Sequence, residues 1–250
     1  MRGDQHVYLS LTTAGLLIAP WIAVLDPTLI AVLLFGVFVG SLAPDADAAD
    51  AAIFNGRLGG VKGKRGQIVN GLAVVLPVFG YTIRYLIYYP LSLVFALILR
   101  KSYRHRHRGL LHSFAGVGLT SLLLSGYLAL ILTWLGISLA LLPAFGVAFF
   151  AGCILHLVED TCTPAGVAWL YPFSRRRLAG RVRTWGNFEV RPTVFAIVLA
   201  LTTAAMLIAP VATSATPEEL RRLAPGVALL LWLLFILVCR VRPQRNRDRA

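Results

Sequence analysis

Apolar residues run in long blocks along almost the whole chain, separated by short polar stretches, and each block approaches the roughly 20 residues needed to cross a hydrocarbon core of about 30 Å. Leu9 to Leu25 forms the first block and Thr28 to Ala43 the second. Asp26-Pro27 between them suits a tight turn, so the pair reads as a helical hairpin. A polar, glycine-rich connection follows from Pro44 through Gly66. Ile68 to Leu99 is apolar overall, but Pro77, Gly80, Arg84 and Pro90 interrupt it. Two short helices, a re-entrant pair and one kinked span are all compatible with that pattern. The basic segment Arg100 to Arg108 leads into Phe114 to Leu135 and Ile137 to Leu157, bent at Gly136 into another predicted hairpin. After the polar stretch Glu159 to Arg191, Val194 to Val211 and Pro225 to Val241 complete the apolar blocks, and an arginine-rich tail ends the sequence.

The composition agrees with this pattern. Of 250 residues, 58% are hydrophobic and 14% charged, and the mean hydropathy is strongly positive, which excludes a water-soluble globular domain, a disordered chain and a disulfide-stapled miniprotein. Cys153, Cys162 and Cys239 form no CxxC pair and imply no structural disulfide. Signal-peptide order is absent at the N-terminus, so the first helix is expected to be retained. The fold class expected is all-α, a polytopic transmembrane bundle built from helical hairpins.

Charge adds orientation. The formal charge is +13, from 24 Lys+Arg against 11 Asp+Glu, and the basic residues cluster at the ends of apolar blocks, around Lys64, Lys101, Arg176 and Arg245. The positive-inside rule places all four clusters in the cytoplasm if every block crosses twice. That even count favours the paired or re-entrant reading of Ile68 to Leu99 and puts both termini in the cytoplasm. Such clusters can also attract anionic lipids. No DNA-binding module is evident, so no specific nucleic-acid partner is expected.

The same threading gathers titratable residues at one membrane face. His6 begins the first helix, Asp45 and Asp47 follow the second, His107 and His112 precede the Phe114 block, and His156 and Asp160 end its partner. His156 and Asp160, four apart, lie roughly 40° apart around a helix and can reach one ion. Asp45 and Asp47, two apart after Pro44, can point the same way from an extended or turned segment. His107 and His112 are five apart, and sharing an ion requires Gly109 to let His107 fold back.

Taken singly, each residue is an ordinary interface group, because a charge is costly mainly near the bilayer centre. His6 alone is a capping histidine, His105 a solvated one, and Asp50 and Glu159 are solvent-facing or supporting groups. The convergence is what favours a metal site. Imidazole and carboxylate ligands suit Zn, Mn or Fe, and carboxylate-rich variants suit Mg. Six or seven ligands exceed one closed zinc site, so two ions are expected, able to activate water and neutralise a phosphoryl oxygen. Arg108 offers a planar fork for an anionic oxygen. Ser113 and Thr163 are expected to orient a ligand or water. Trp169 fits an interfacial anchor.

His6, Pro44-Asp45-Ala46-Asp47, His107-Arg108-Gly109-Leu110-Leu111-His112-Ser113 and His156-Leu157-Val158-Glu159-Asp160-Thr161-Cys162-Thr163-Pro164-Ala165-Gly166, with Trp169 and Pro172, form an ordered set. With these strings the sequence resembles the YdjM-like family of membrane-bound, metal-dependent hydrolases, over roughly Met1 to Ser174. The resemblance implies a helical inner-membrane enzyme in which His6, Asp45, Asp47, His107, His112, His156 and Asp160 correspond to the polar motif positions. The family's distant similarity to zinc-dependent phospholipase C-like helical enzymes suggests phosphoester chemistry, by analogy alone.

The expectation is therefore a metal-dependent hydrolase core over residues 1–174 and, over 175–250, a basic connection, two helices and the tail. It would cleave a phosphoester of a lipid or amphipathic compound at the cytoplasmic face. Asp47 or Asp160 would move the proton and Arg108 would stabilise the anion. The rivals are a metal-ion transporter or membrane metal sensor using the same ligands without chemistry, and a structural membrane protein whose basic face recruits anionic lipid or a soluble partner.

Overall fold

The computed structural model describes residues 1–55, 71, 73–100, 108–183 and 189–244. The architecture is all-α. Its helices are α1 (Gly3–Ile18), α2 (Pro27–Gly40), α3 (Leu76–Leu99), α4 (Phe114–Trp134), α5 (Leu142–Thr161), α6 (Arg191–Ala212) and α7 (Pro217–Val238). From α3 onward each is long and apolar enough to cross a membrane, while α2 is a shorter apolar helix. A short antiparallel ribbon pairs β1 (Arg177–Ala179) with β2 (Arg242–Gln244).

Local chemistry explains the boundaries. Pro20 lies in a 3-10 turn that follows α1. Asp26 caps α2 by accepting from the Thr28 and Leu29 amides, and Pro27 takes the first helical position, where no donor is required. Ser113 caps α4 through the Gly116 amide. Pro143 opens α5 five residues later than the apolar pattern alone places it. In α7 the helix starts at Pro217, two turns before Pro225, because Thr216 and Glu219 form a reciprocal capping box.

The block Ile68 to Leu99 departs from the paired or re-entrant expectation. Leu76–Leu99 is one helical run whose middle, Thr82–Tyr88, is wound as π-helix. Pro90 cannot supply the donor that an α-helix would bring to the Leu86 carbonyl. The Tyr127 hydroxyl, from α4, donates to that carbonyl at 3.1 Å instead. A neighbouring helix thus repairs the break that the proline would otherwise cause. The even crossing count that placed the basic clusters in the cytoplasm accordingly loses its support from this block. The Lys64, Lys101 and Arg245 clusters lie outside the described residues.

Two larger hydrophobic clusters and a small one of Ala14, Val37 and Ala148 organise the interior of the described residues. The largest gathers Phe38, Val39 and Leu42 at the end of α2 with Phe149, Cys153 and Leu157 of α5 and the loop residues Leu110 and Leu111. Here α2 and α5 run parallel in near backbone contact, since a Cβ on Gly40 would collide with the Phe149 carbonyl and one on Gly152 with the Val37 carbonyl. Small residues allow this approach in lipid, where hydrophobicity does not itself drive helices together. The second cluster joins Leu9 and Leu16 of α1 to Phe195 and Leu199 of α6 and Trp232 and Phe235 of α7. Trp232 Nε1 donates to Thr13 Oγ1 at 3.1 Å, so the C-terminal helices are fastened to the first one.

Candidate metal centre

The α2–α5 seam sets the first ligand. His156 lies on α5 one turn before Asp160, and its Nδ1 is 2.7 Å from the Ser41 carbonyl just beyond α2. A carbonyl only accepts, so Nδ1 carries a proton, and Nε2, when it carries none, turns its lone pair to the interior. That is the tautomer a metal-binding imidazole needs. His112 comes from the tight loop ahead of α4, where the Ser113 amide and hydroxyl both donate to the Leu110 carbonyl. Gly116 allows the first turn of α4 to sit against that carbonyl, which a Cβ would strike.

Four side chains then converge. His112 Nε2 lies 3.3 Å from His156 Nε2, 3.3 Å from Asp45 Oδ1 and 3.6 Å from Asp160 Oδ2. His156 Nε2 lies 3.6 Å from Asp45 Oδ1 and 3.8 Å from Asp160 Oδ2. One ligand atom from each of the four falls within 4.8 Å of the other three. With metal–ligand bonds of about 2.0–2.1 Å, tetrahedral ligands stand about 3.4 Å apart, so the group is already spaced as a coordination shell. Asp160 Oδ2 is buried, faces the two imidazoles and lies 3.0 Å from a guanidinium nitrogen of Arg108. These residues could hold a divalent ion.

Burial leaves one edge open. The side chains of His112 and His156 are fully buried and that of Asp160 is 1% exposed, whereas Asp45 is 20% exposed. Burial by itself would raise the Asp45 carboxyl, but His156 and His112 beside it hold it well below the usual carboxylate range. It therefore stays a carboxylate at neutral pH.

The remaining expected residues surround this group. Asp47 does not point the same way as Asp45. Both belong to the 3-10 turn Ala43–Asp47, in which residues two apart face about 240° around the axis. Asp45 consequently meets His112 at Nε2, while Asp47, fully buried, lies 3.7 Å from His112 Nδ1 and accepts the Arg108 amide at 3.1 Å. Arg108, with φ of 59°, donates to Thr163 Oγ1 at 3.0 Å and to Asp160 Oδ1 at 3.1 Å. The amine of Met1 also reaches Asp160 Oδ1, at 2.6 Å. His6 stacks on His156 with ring centroids 3.9 Å apart. Its Nδ1 is paired with Glu159, and its buried Nε2 has no hydrogen-bond partner and lies 3.6 Å from Asp160 Oδ1. His6 thus packs against the cluster with this nitrogen turned toward Asp160. His107 lies outside the described residues.

A family model described as YdjM inner membrane protein matches residues 1–243. The chain belongs to that family. The match runs well past Ser174, so the YdjM family relationship takes in α6 and α7 as well as the motif-bearing region. Family and helices together make this an integral membrane protein. No curated protein and no solved structure matches the chain.

Sequence reasoning missed several supporting contacts. Glu159, expected as a solvent-facing or supporting group, takes the supporting role: it is fully buried between His6 and Ser10, whose hydroxyl donates to Glu159 Oε1 at 3.0 Å. The spacing of His6 and Ser10, four apart on one helix, was the available signal. Trp169 is more than a belt residue, because Nε1 donates to Thr161 Oγ1 at 2.9 Å and its carbonyl accepts the Phe114 amide, tying the end of α5 to the start of α4.

Proposed function

We propose that this YdjM-family protein is a metal-dependent hydrolase that cleaves a phosphoester of a lipid or amphipathic compound at the cytoplasmic face of the membrane. The observation that carries the reading is the convergence of Asp45 Oδ1, His112 Nε2, His156 Nε2 and Asp160 Oδ2, with the His156 tautomer set by Ser41. The donor set, two imidazoles and two carboxylates, fits Zn best, with Mn, Fe and Mg as alternatives. An ion held there would act as a Lewis acid on a phosphoryl oxygen and lower the pKa of water.

The chain's own groups supply the rest. Asp45 marks the exposed edge by which an anionic group reaches the site. Arg108, 16% exposed and already oriented by Asp160 and Thr163, keeps further N–H donors for a phosphoryl oxygen. Asp160, paired with the Met1 amine and Arg108, is held as an anion that would balance the charge of a bound ion. Asp47 lies 3.7 Å from the opposite nitrogen of His112 and acts on that ring through its charge. The ligands also sit together at the ends of α2 and α5, and the seam below them is closed by glycine packing. A transported ion would need polar groups continuing along that seam, which supports hydrolysis over transport.

Metal analysis of the purified protein in detergent, followed by a phosphoester and phospholipid screen before and after chelation, tests the reading. The expected result is one or two divalent ions per chain and a hydrolytic activity that disappears with the metal and returns on its addition. Stoichiometric metal with no hydrolysis across the screen would favour the sensor or transporter, and no metal at all would remove the site.

A further inference from the structure

Arg84 is the single charged residue in Leu76–Leu99. A charge inside a membrane helix is expensive and persists where it has specific partners. Its partners here belong to the metal-binding turn. Arg84 Nε donates to the Ala46 carbonyl at 2.8 Å, and a second nitrogen of the same guanidinium donates to the Ala48 carbonyl. Those two residues alternate with Asp45 and Asp47. The guanidinium carbon also lies 4.1 Å above the centre of the Phe54 ring.

The surrounding packing holds the arginine in this position. Phe54 packs on Tyr81 with ring centroids 5.1 Å apart. A Cβ on Gly80 would lie 2.9 Å from Phe54, so α3 rests directly on the chain that leaves the aspartate turn. Arg84 itself lies in the π-helical Thr82–Tyr88, a widened geometry that recurs at functional sites. One planar fork thus grips two carbonyls two residues apart. In a 3-10 turn each residue advances about 120°, so a slip by one residue would carry Asp45 away from both histidines.

We propose that Arg84 is a positioning residue for the metal centre, fixing the Asp45–Asp47 turn from α3 without touching the ion. The inference rests on the metal-site reading above. It differs from a purely structural role, in which two buried carbonyls need donors for folding alone and the ligands take the same positions in any folded variant.

The test is a Co(II) titration of detergent-purified wild type, Arg84→Lys and Arg84→Ala, with apo-protein melting measured alongside. Lysine keeps the charge and loses the fork, so Arg84→Lys provides a folded variant if Arg84→Ala does not fold. We expect affinity about 10- to 100-fold weaker in the variants, in the range seen when groups supporting a ligand are lost. The Co(II) visible bands should change shape. Millimolar guanidinium should restore part of the Arg84→Ala affinity, and tetramethylammonium at the same concentration should not. Folded variants with wild-type affinity and spectrum overturn the positioning role and leave the metal reading intact. A wild type that takes up no Co(II) or Zn(II) overturns both.

Discussion

The α2–α5 seam and the α6–α7 pair are both helix contacts in one membrane protein, and they are built differently. Along α5, 44% of the apolar window is buried, against 11% along α6 and 22% along α7. Gly36, Gly40 and Gly152 bring the α2 and α5 backbones together. The C-terminal pair instead meets through large rings, with Phe195 stacked on Phe235 at 4.2 Å and edge-on to Trp232 at 4.9 Å. Backbone contact fixes the Ser41 carbonyl against His156 within hydrogen-bond tolerance. A ring stack tolerates a shift of several tenths of an ångström. The difference implies a division of labour: the seam sets ligand geometry, while the aromatic pair contributes adhesion.

The largest effect should come from the two imidazole ligands. His112→Ala and His156→Ala should each lower metal affinity by more than about 100-fold, beyond the loss expected for supporting groups, and abolish any metal-dependent hydrolysis while membrane insertion persists. Metal analysis and membrane fractionation check this, and metal retained at wild-type stoichiometry in both variants would contradict it. Gly40→Ala comes next. The added methyl forces α2 away from Phe149, at a cost of about 1–3 kcal/mol, and the displaced Ser41 should weaken metal binding as well. A destabilised Gly40→Ala protein that binds metal normally would show that the seam does not set the ligands.

Which of these features could be read from the sequence depends on how local their causes are. The His156/Asp160 pair was legible because a helical repeat fixes it, and the start of α4 because the apolar block begins at Phe114; Ser113, expected to orient a ligand or water, caps that helix instead. The parting of Asp45 and Asp47 was not, since an extended segment and a 3-10 turn place residues two apart on different faces and Pro44 is compatible with both. Continuity of α3 depends on Tyr127, far along the chain, replacing the donor missing at Pro90. Burial of Glu159 likewise depends on Ser10 and His6 of a distant helix. The early start of α7 was present as Thr216 and Glu219, but its polar first turns masked it in a hydropathy pattern.

The aromatic pair predicts smaller and separable effects. Trp232→Phe removes the hydrogen bond to Thr13 and should cost about 1 kcal/mol, in the range of hydrogen bonds between membrane helices, with metal affinity unchanged. Thermal unfolding in detergent and a metal titration on the same sample test both halves. A change in affinity would mean that α1, which carries His6, transmits the disturbance to the cluster, and the division between the two regions would fail.

The smallest effect lies where the chain enters α6. Arg191 beside Glu189 holds that carboxyl at about 2, helped by the amides of Arg183 and Arg191 and opposed by burial. The folded value is below the unfolded one of about 4.3. The stabilisation is therefore complete above that pH and fades as the pH falls toward 2. Glu189→Gln should cost about 0.5 kcal/mol at neutral pH, as for an ion pair near the surface, and its difference from wild type should shrink steadily below pH 4. Unfolding curves across pH 2 to 7 measure this. A gap that stays constant down to pH 2 would remove the ion pair as the cause. A loss of metal affinity at pH 7 would instead show that the C-terminal helices help to set the ligands, against the contrast drawn between the two contacts.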